Sequence, residues 1–150
     1  FIITMNNLNI LGLQRLLEKV LELRKLHSHD YQRVWFDTPV LRTPSWQSLQ
    51  ILTPAYHGIM ENLIKWMKLN QMDEGSDNFV GFKDYEIQRL ERDLEWMKKG
   101  KKLTKDYQQK QRADFYRFFN EYDKRRGTDF LKTFPQMREF WQECKYHAET

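Results

Sequence analysis

The sequence contains a single cysteine, Cys144, among 150 residues. One thiol excludes an internal disulfide, and with it the stapled scaffolds of small secreted domains; it suits a reducing, cytoplasmic setting. No apolar run approaches the roughly 18 residues needed to span a bilayer, which argues against a membrane partner. The first residues lack the basic, apolar and small-residue pattern of a secretory signal. The common catalytic signatures are missing too: no glycine-rich phosphate loop, no His-Glu-x-x-His, no paired cysteines and no Gly-x-Ser-x-Gly. There is no internal repeat and no low-complexity segment. The chain is therefore expected to be soluble and to carry no complete catalytic site of its own.

What is present is enough to fold. Apolar residues make up 40% of the chain and charged ones 31%, a balance typical of globular domains and not of disordered tails. Aromatic residues reach 15%, and these bury the largest area per side chain. The net charge of +4 permits an anionic partner without requiring one.

Phe1-Ile2-Ile3-Thr4-Met5 is a short run rich in β-branched and aromatic residues that does not alternate with polar ones, as in a strand covered on both faces. Asn6 and Asn7 end it and are suited to turning the chain or capping a helix. Leucines then recur at helical spacing from Leu8 to Leu26, and the charges Arg15, Glu18, Lys19, Glu22 and Arg24 read as the polar face. His27-Ser28-His29-Asp30 stops this helix, and Arg33-Val34-Trp35-Phe36-Asp37 reads as a second strand. Strand, helix and strand at this spacing predict a right-handed βαβ unit with parallel strands. Such a unit cannot cover itself, so further strands are expected from a missing N-terminal half.

Beyond a connection marked by Pro39, Pro44 and Trp46, the pattern is helical. Thr53-Pro54 predicts a helix start, and that helix is expected to reach about Asn70, with Ile59, Leu63, Trp66 and Met67 on one face. Met72 to Asn78 reads as a flexible linker. A helix over Asp84–Lys99 is expected to end on a left-handed Gly100. Thr104 is expected to cap the next, with Tyr107, Phe115, Phe118, Phe119 and Tyr122 as its stripe and Gly127 as its stop. Thr133-Phe134-Pro135-Gln136 reads as a capping box opening the last helix, which carries Phe140, Trp141 and Cys144.

His27 and His29 have no third metal ligand near them, and a helix C-terminus favours histidine in any case; no metal site is predicted. Cys144 reads as a buried structural thiol. The lysines 98, 99, 101 and 102 and the run Lys124-Arg125-Arg126 offer phosphate contacts, with Trp96, Tyr107 and Tyr116 available for stacking. However, both runs sit at helix ends, where cations offset the dipole, and acids are interleaved elsewhere, which weighs against nucleic acid. Asn6, Asn7, Asp37 and Thr38 fall at the C-terminal ends of the two expected strands, the side on which parallel α/β sheets bind ligands. They read equally as a cap and a turn.

The segments Ile2–Asn7 and Gln32–Pro39 with Leu41-Arg42, together with Trp46–Leu52, resemble the last βα units of a radical SAM enzyme barrel. Phe118–Pro135 is similar to the tail of radical SAM proteins with a SPASM or twitch-type C-terminal region. The resemblance implies an α/β fold: the terminal βαβ unit of a partial parallel (β/α) barrel over residues 1–53, then a helical C-terminal module over 54–150, mostly helical by residue count. It implies a parent enzyme using S-adenosylmethionine and a 4Fe-4S cluster, with Asn6, Asn7, Asp37 and Thr38 toward the nucleoside and the helices covering the barrel or docking a peptide-like substrate. The Cys-x3-Cys-x2-Cys loop that defines that family is absent and would lie upstream, and no auxiliary-cluster cysteines are present, so this chain alone is expected to hold no cofactor. The alternative is a non-enzymatic helical interaction module binding RNA or a protein partner.

One thiol cannot supply a cluster that takes about four ligands. Anaerobic reconstitution of the isolated chain should therefore leave no charge-transfer absorbance; stoichiometric iron uptake would overturn this expectation.

Overall fold

A computed structural model describes residues 1–27, 33–73 and 80–150. They form six α-helices, with short 3₁₀ turns before α1, α2, α4 and α6: α1 (Leu13–His27), α2 (Ala55–Leu69), α3 (Asp84–Lys98), α4 (Lys105–Arg126), α5 (Phe130–Thr133) and α6 (Arg138–Glu149). In α1, Leu13, Leu17 and Val20 recur at spacings of three and four and are buried, the pattern of one apolar helix face. In α2 the buried stripe is Tyr56, Met60, Leu63, Ile64 and Met67. In α3 it is Ile87, Leu90 and Met97, and α2 and α3 pack together. The long α4 begins where Thr104 Oγ1 accepts from the Tyr107 amide at 3.2 Å and ends at Gly127, whose φ of +64° suits a residue without Cβ. It packs along α6. Phe115 of α4 meets Phe119, Phe130, Phe140 and Trp141 with ring centroids 4.9 to 6.3 Å apart. One core runs from Ile3 and Met5 to Phe140 and Cys144.

The predicted α/β unit is not formed. Among the described residues there is no β-strand, so neither a βαβ unit nor part of a barrel exists, and the fold is all-helical. The two apolar segments are extended and meet only through isolated parallel bridges, Ile2 with Asp37 and Met5 with Val40. The reason is visible in their burial. Ile3 and Met5 are inside while Phe1, Ile2 and Thr4 are exposed, and Phe36 is inside while Trp35 is half exposed. Each segment therefore buries one face, and a doubly covered parallel strand needs two. Pro39 has no amide proton to extend a ladder. The Thr38 amide donates to the Asp37 carboxylate at 2.8 Å.

Other expectations change for local reasons. Gly100 is not a left-handed cap; it lies in the 3₁₀ turn Lys99–Lys102. A Cβ there would collide with the Gln50 carbonyl, so glycine is required by close approach of two backbones. Thr133 opens no helix. Asp129 caps α5 by accepting from the Leu131 and Lys132 amides, and α6 begins only at Arg138 after the turn Pro135–Met137. Pro54, not Thr53, is at the cap position of α2, and the Thr53 carbonyl accepts from the Tyr56 amide at 3.0 Å. Phe118, Tyr122 and Tyr107 of the expected α4 stripe are exposed. Ser28, His29 and Asp30, and most of the expected 72–78 linker, lie outside the described residues.

Arg24, read as part of the polar face of α1, is fully buried. Its Nε donates to the Val34 carbonyl at 3.0 Å, Nη1 to the Gly81 carbonyl at 2.9 Å and Nη2 to Glu86 Oε1 at 2.9 Å. The guanidinium also lies 5.6 Å from the Phe36 ring centroid. One side chain thus joins α1, the 34–36 segment, the Gly81 turn and α3. Burial pushes the Glu86 carboxyl above the ordinary range, with Arg24 pulling it back down. Breaking such a buried pair from one side leaves an uncompensated charge. Arg24→Met should therefore cost about 3–5 kcal/mol, seen as a lower urea midpoint. Arg24→Met with Glu86→Leu should recover part of that loss, because the buried carboxylate goes but the Val34 and Gly81 carbonyls stay unpartnered. Additive effects of the two changes would contradict this coupling.

Candidate functional site

A cleft of about 560 Å³ lies between the extended segment 37–42 and α3. Helical spacing places Arg89, Arg92, Trp96 and the following Lys99 along one side of it. The opposite wall is Asp37, Thr38, Pro39, Val40 and Arg42. That wall is held from behind by the N-terminal segment: Asp37 N donates to Phe1 O at 2.9 Å, Ile3 N to Asp37 O at 2.8 Å and Leu41 N to Met5 O at 2.8 Å. It is pinned across the cleft by the Arg89–Asp37 ion pair at 3.0 Å. Arg42 lies over the Trp96 ring, 5.0 Å from its centroid, a favourable cation–π placement.

Asp93 lies on the buried stripe of α3 between Leu90 and Met97 and is 7% exposed. Burial pushes its carboxyl up to about 7; the Thr38 hydroxyl and Arg92 offset part of this and Asp37 adds to it. Thr38 is 3% exposed. Neither its Oγ1 nor Asp93 Oδ2 meets a partner in full hydrogen-bonding geometry among the described residues. An acid–hydroxyl pair thus lies at the base of a cleft lined above by four cations, Arg42, Arg89, Arg92 and Lys99, and by the carboxylates of Asp37 and Glu95.

A second, smaller hollow shares Arg42 and Trp96 with the first and continues past Ser45, Gln50 and Leu103 to Tyr107. Around the corner, Lys101 and Lys105 line a third hollow with His57. The His57 pKa is lowered, first by burial and then by Lys101 and Lys98, with Glu61 opposing them. From Trp96 to Lys105 the chain carries five lysines and no acid. Lys98 pairs with Glu61 at 2.8 Å, whereas Lys99, Lys101, Lys102 and Lys105 form no ion pair among the described residues. The other basic run, Lys124-Arg125-Arg126, closes the far end of α4, and a helix of 22 residues is about 33 Å long. The two runs do not make one surface.

The four residues expected to face a ligand separate. Asp37 and Thr38 line the cleft. Asn6 is a local turn residue, its Oδ1 accepting from Leu8 N at 2.9 Å and its Nδ2 donating to the Thr4 carbonyl at 3.1 Å. Asn7 is fully buried and ties the 45–47 turn to the N-terminal segment, its Nδ2 donating to Trp46 O at 2.9 Å and its amide to Gln47 O at 3.1 Å. Tyr116 packs on Trp141, 4.7 Å between centroids. Cys144 is buried, which pushes its thiol well above the usual range. Nothing in residue type singles out Arg89, Arg92 or Asp93, and Arg42 entered only through the family resemblance. The period 90–93–97 in α3 puts Asp93 on the apolar stripe, and the period 89–92–96–99 gathers the cations.

Among the described residues no group of three His, Cys, Asp or Glu side chains is placed to hold a metal, and no helix is long and apolar enough to cross a membrane. Comparison with known proteins adds no relative: no family model and no curated protein matches the sequence, and no solved structure matches the fold.

Asp93 binds a proton in the folded chain up to about pH 7 but in the unfolded chain only near its ordinary 3.8. Between these values the folded state holds the extra proton, so this group's contribution to stability falls as pH rises, by about 1.4 kcal/mol per unit at most, and levels off above 7. Glu86, also raised, acts in the same direction. Asp93→Asn should therefore flatten the stability–pH curve between about 4 and 7 and gain on the parent at pH 8. Equal slopes in denaturant titrations of the two proteins would contradict the assignment.

Proposed function

We propose that this chain is a non-enzymatic helical interaction module that binds single-stranded nucleic acid along its basic face. The observation that carries the reading is the acid-free stretch 96–105 from α3 into α4, with four lysines that form no ion pair among the described residues. Lys99 shares a cleft with Arg42, Arg92 and the half-buried Trp96, and Arg42 and Trp96 share a second hollow with Tyr107, which is 41% exposed. Lysines spaced along a surface neutralise successive phosphates, and an exposed aromatic ring stacks on bases of any sequence. A duplex reader would need an element that fills a groove, and the hollows here are concave and lined by separate side chains. Dipole compensation accounts for cations in the last turn of α3. It does not account for Lys105, which opens α4, the end where a cation is unfavourable.

The radical SAM reading drew its site from the ends of barrel strands. With no sheet formed, that support is gone, and the helical module becomes the better-supported reading.

The reading predicts that a labelled single-stranded RNA oligomer binds the chain with an affinity that falls as salt rises. Lys101→Ala with Lys102→Ala should weaken binding and reduce the log–log salt slope by about 0.7 for each lysine that meets a phosphate. Tyr107→Ala should weaken binding at every salt concentration with the slope unchanged, since stacking releases no counterions. Fluorescence anisotropy across a salt series measures both. Binding that is absent at low salt, or insensitive to the paired lysine change, would overturn the proposal.

A further inference from the structure

We infer that the cleft between residues 37–42 and α3 seats one nucleotide of the bound strand, with its phosphate on Arg92 and Lys99 and a donor group of its sugar or base reaching Asp93 and Thr38. This deepens the nucleic-acid reading and rests on it. Four features point the same way. The cleft volume, about 560 Å³, falls within the range of roughly 300–1,000 Å³ usual for small-ligand sites. Its rim carries four cations, Arg42, Arg89, Arg92 and Lys99, against the two carboxylates of Asp37 and Glu95. Arg89 is already engaged by Asp37 and Arg42 rests on Trp96, which leaves Arg92 and Lys99, both exposed and without an ion pair among the described residues, to meet a phosphate. Beneath them lie two side chains more than nine-tenths buried, Asp93 and Thr38, which act on each other but whose Oδ2 and Oγ1 complete no hydrogen bond in full geometry among the described residues.

Buried polar atoms without partners are rare, and each calls for an explanation. A ligand that brings an anion to the rim and a hydrogen-bond donor to the base of the cleft would satisfy both layers at once. Inorganic phosphate satisfies only the rim, and an apolar ligand satisfies neither. A nucleotide carries the two kinds of group on one molecule, its phosphate separated from the hydroxyl or amino donors of sugar and base. The hollow beyond Trp96, leading to Tyr107, gives the next base a place to stack. Lys101, Lys102 and Lys105 follow Lys99 in the chain, Lys101 and Lys105 lining a separate hollow.

The test is titration of the whole chain with AMP, GMP, CMP and UMP, and separately with inorganic phosphate, followed by amide and indole NMR shifts. At least one nucleotide should saturate with shifts confined to residues 37–42 and 89–99, at least tenfold more tightly than inorganic phosphate. Arg92→Ala and Lys99→Ala, both at exposed positions, should each weaken that nucleotide about tenfold. Asp93→Asn, which exchanges an acceptor for a donor, should change the order of preference among the four nucleotides and leave inorganic phosphate unchanged, a result that a purely structural role for Asp93 would not produce. Nucleotides that bind no better than phosphate, or shift residues elsewhere, would overturn the inference. The two readings fail separately. RNA binding that depends on Lys101 and Lys102 but ignores Arg92→Ala sinks the cleft and leaves the strand reading standing. Nucleotide binding in the cleft without any RNA binding sinks the strand reading and leaves the cleft as a site for free nucleotides.

Discussion

The fold depends on a buried guanidinium. Arg24 reaches three acceptors from three separate parts of the chain: Val34 in the extended segment, Gly81 in the turn before α3, and Glu86 within α3. Arginine suits this task because its planar fork carries five donors in fixed directions, and because a carbonyl is cheaper to bury when it accepts a charge-assisted bond. The surrounding apolar groups exclude water. Phe36 lies beside the guanidinium and makes an edge contact with Phe82, and Trp66 packs on Phe82 from α2. A buried ion pair is weak as a source of net stability but demanding in geometry. Its consequence here is register: α1, the 34–36 segment and α3 fit together only where that fork finds its acceptors.

From that register the cleft follows. The segment carrying Val34 and Phe36 runs on into Asp37–Arg42, so anchoring Val34 to Arg24 sets where the wall of the cleft stands against α3. The Arg89–Asp37 pair then closes it at one point. At the other end, Gly100 lets the turn after α3 press against the Gln50 backbone, and the Gln50 side chain donates to Trp96 O at 3.0 Å. The Gly100 carbonyl accepts from Gln108 of α4, and Arg112 of α4 donates to the Ile51 carbonyl at 2.8 Å and pairs with Glu143 of α6 at 2.6 Å. The lysine-rich turn is therefore held by backbone approach and side-chain bonds on both sides. Cations on a surface fixed in this way lose less conformational freedom on meeting a phosphate than cations on a loose loop.

Much of the helical content was legible from periodicity. Leu13, Leu17 and Val20, or Leu90 and Met97, recur at spacings that only a helix turns to one side. Thr104 and Gly127 mark the ends of α4 because their chemistry acts on adjacent amides and carbonyls, which needs no knowledge of distant residues. The extended segments were harder to read. Phe1–Met5 looks doubly buried as a string of letters, yet whether a strand has one covered face or two is decided by what lies against it. The same limit applied to the charges. The spacing 13–17–20–24 lands on Arg24, and 90–93–97 lands on Asp93. In each case residue type suggested solvent and position indicated the interior, and position was correct.

Local pattern by itself determined where helices form, which faces are apolar, how α4 begins and ends, and that five lysines fall between residues 96 and 105 without an acid. These depend on neighbours within about one helical turn, whose interactions are set by bond geometry. Tertiary structure alone decided that Arg24 and Glu86, 62 residues apart, share one buried bond, and that residues 1–5 and 37–41 lie side by side without becoming a sheet. It also decided that Asp37 and Thr38 belong to a cleft whereas Asn6 and Asn7 hold turns together, and that Gly100 serves a backbone contact instead of a left-handed cap. Each of these is a matter of which distant group arrives at a given atom, and chain entropy together with the packing of the whole core settles that.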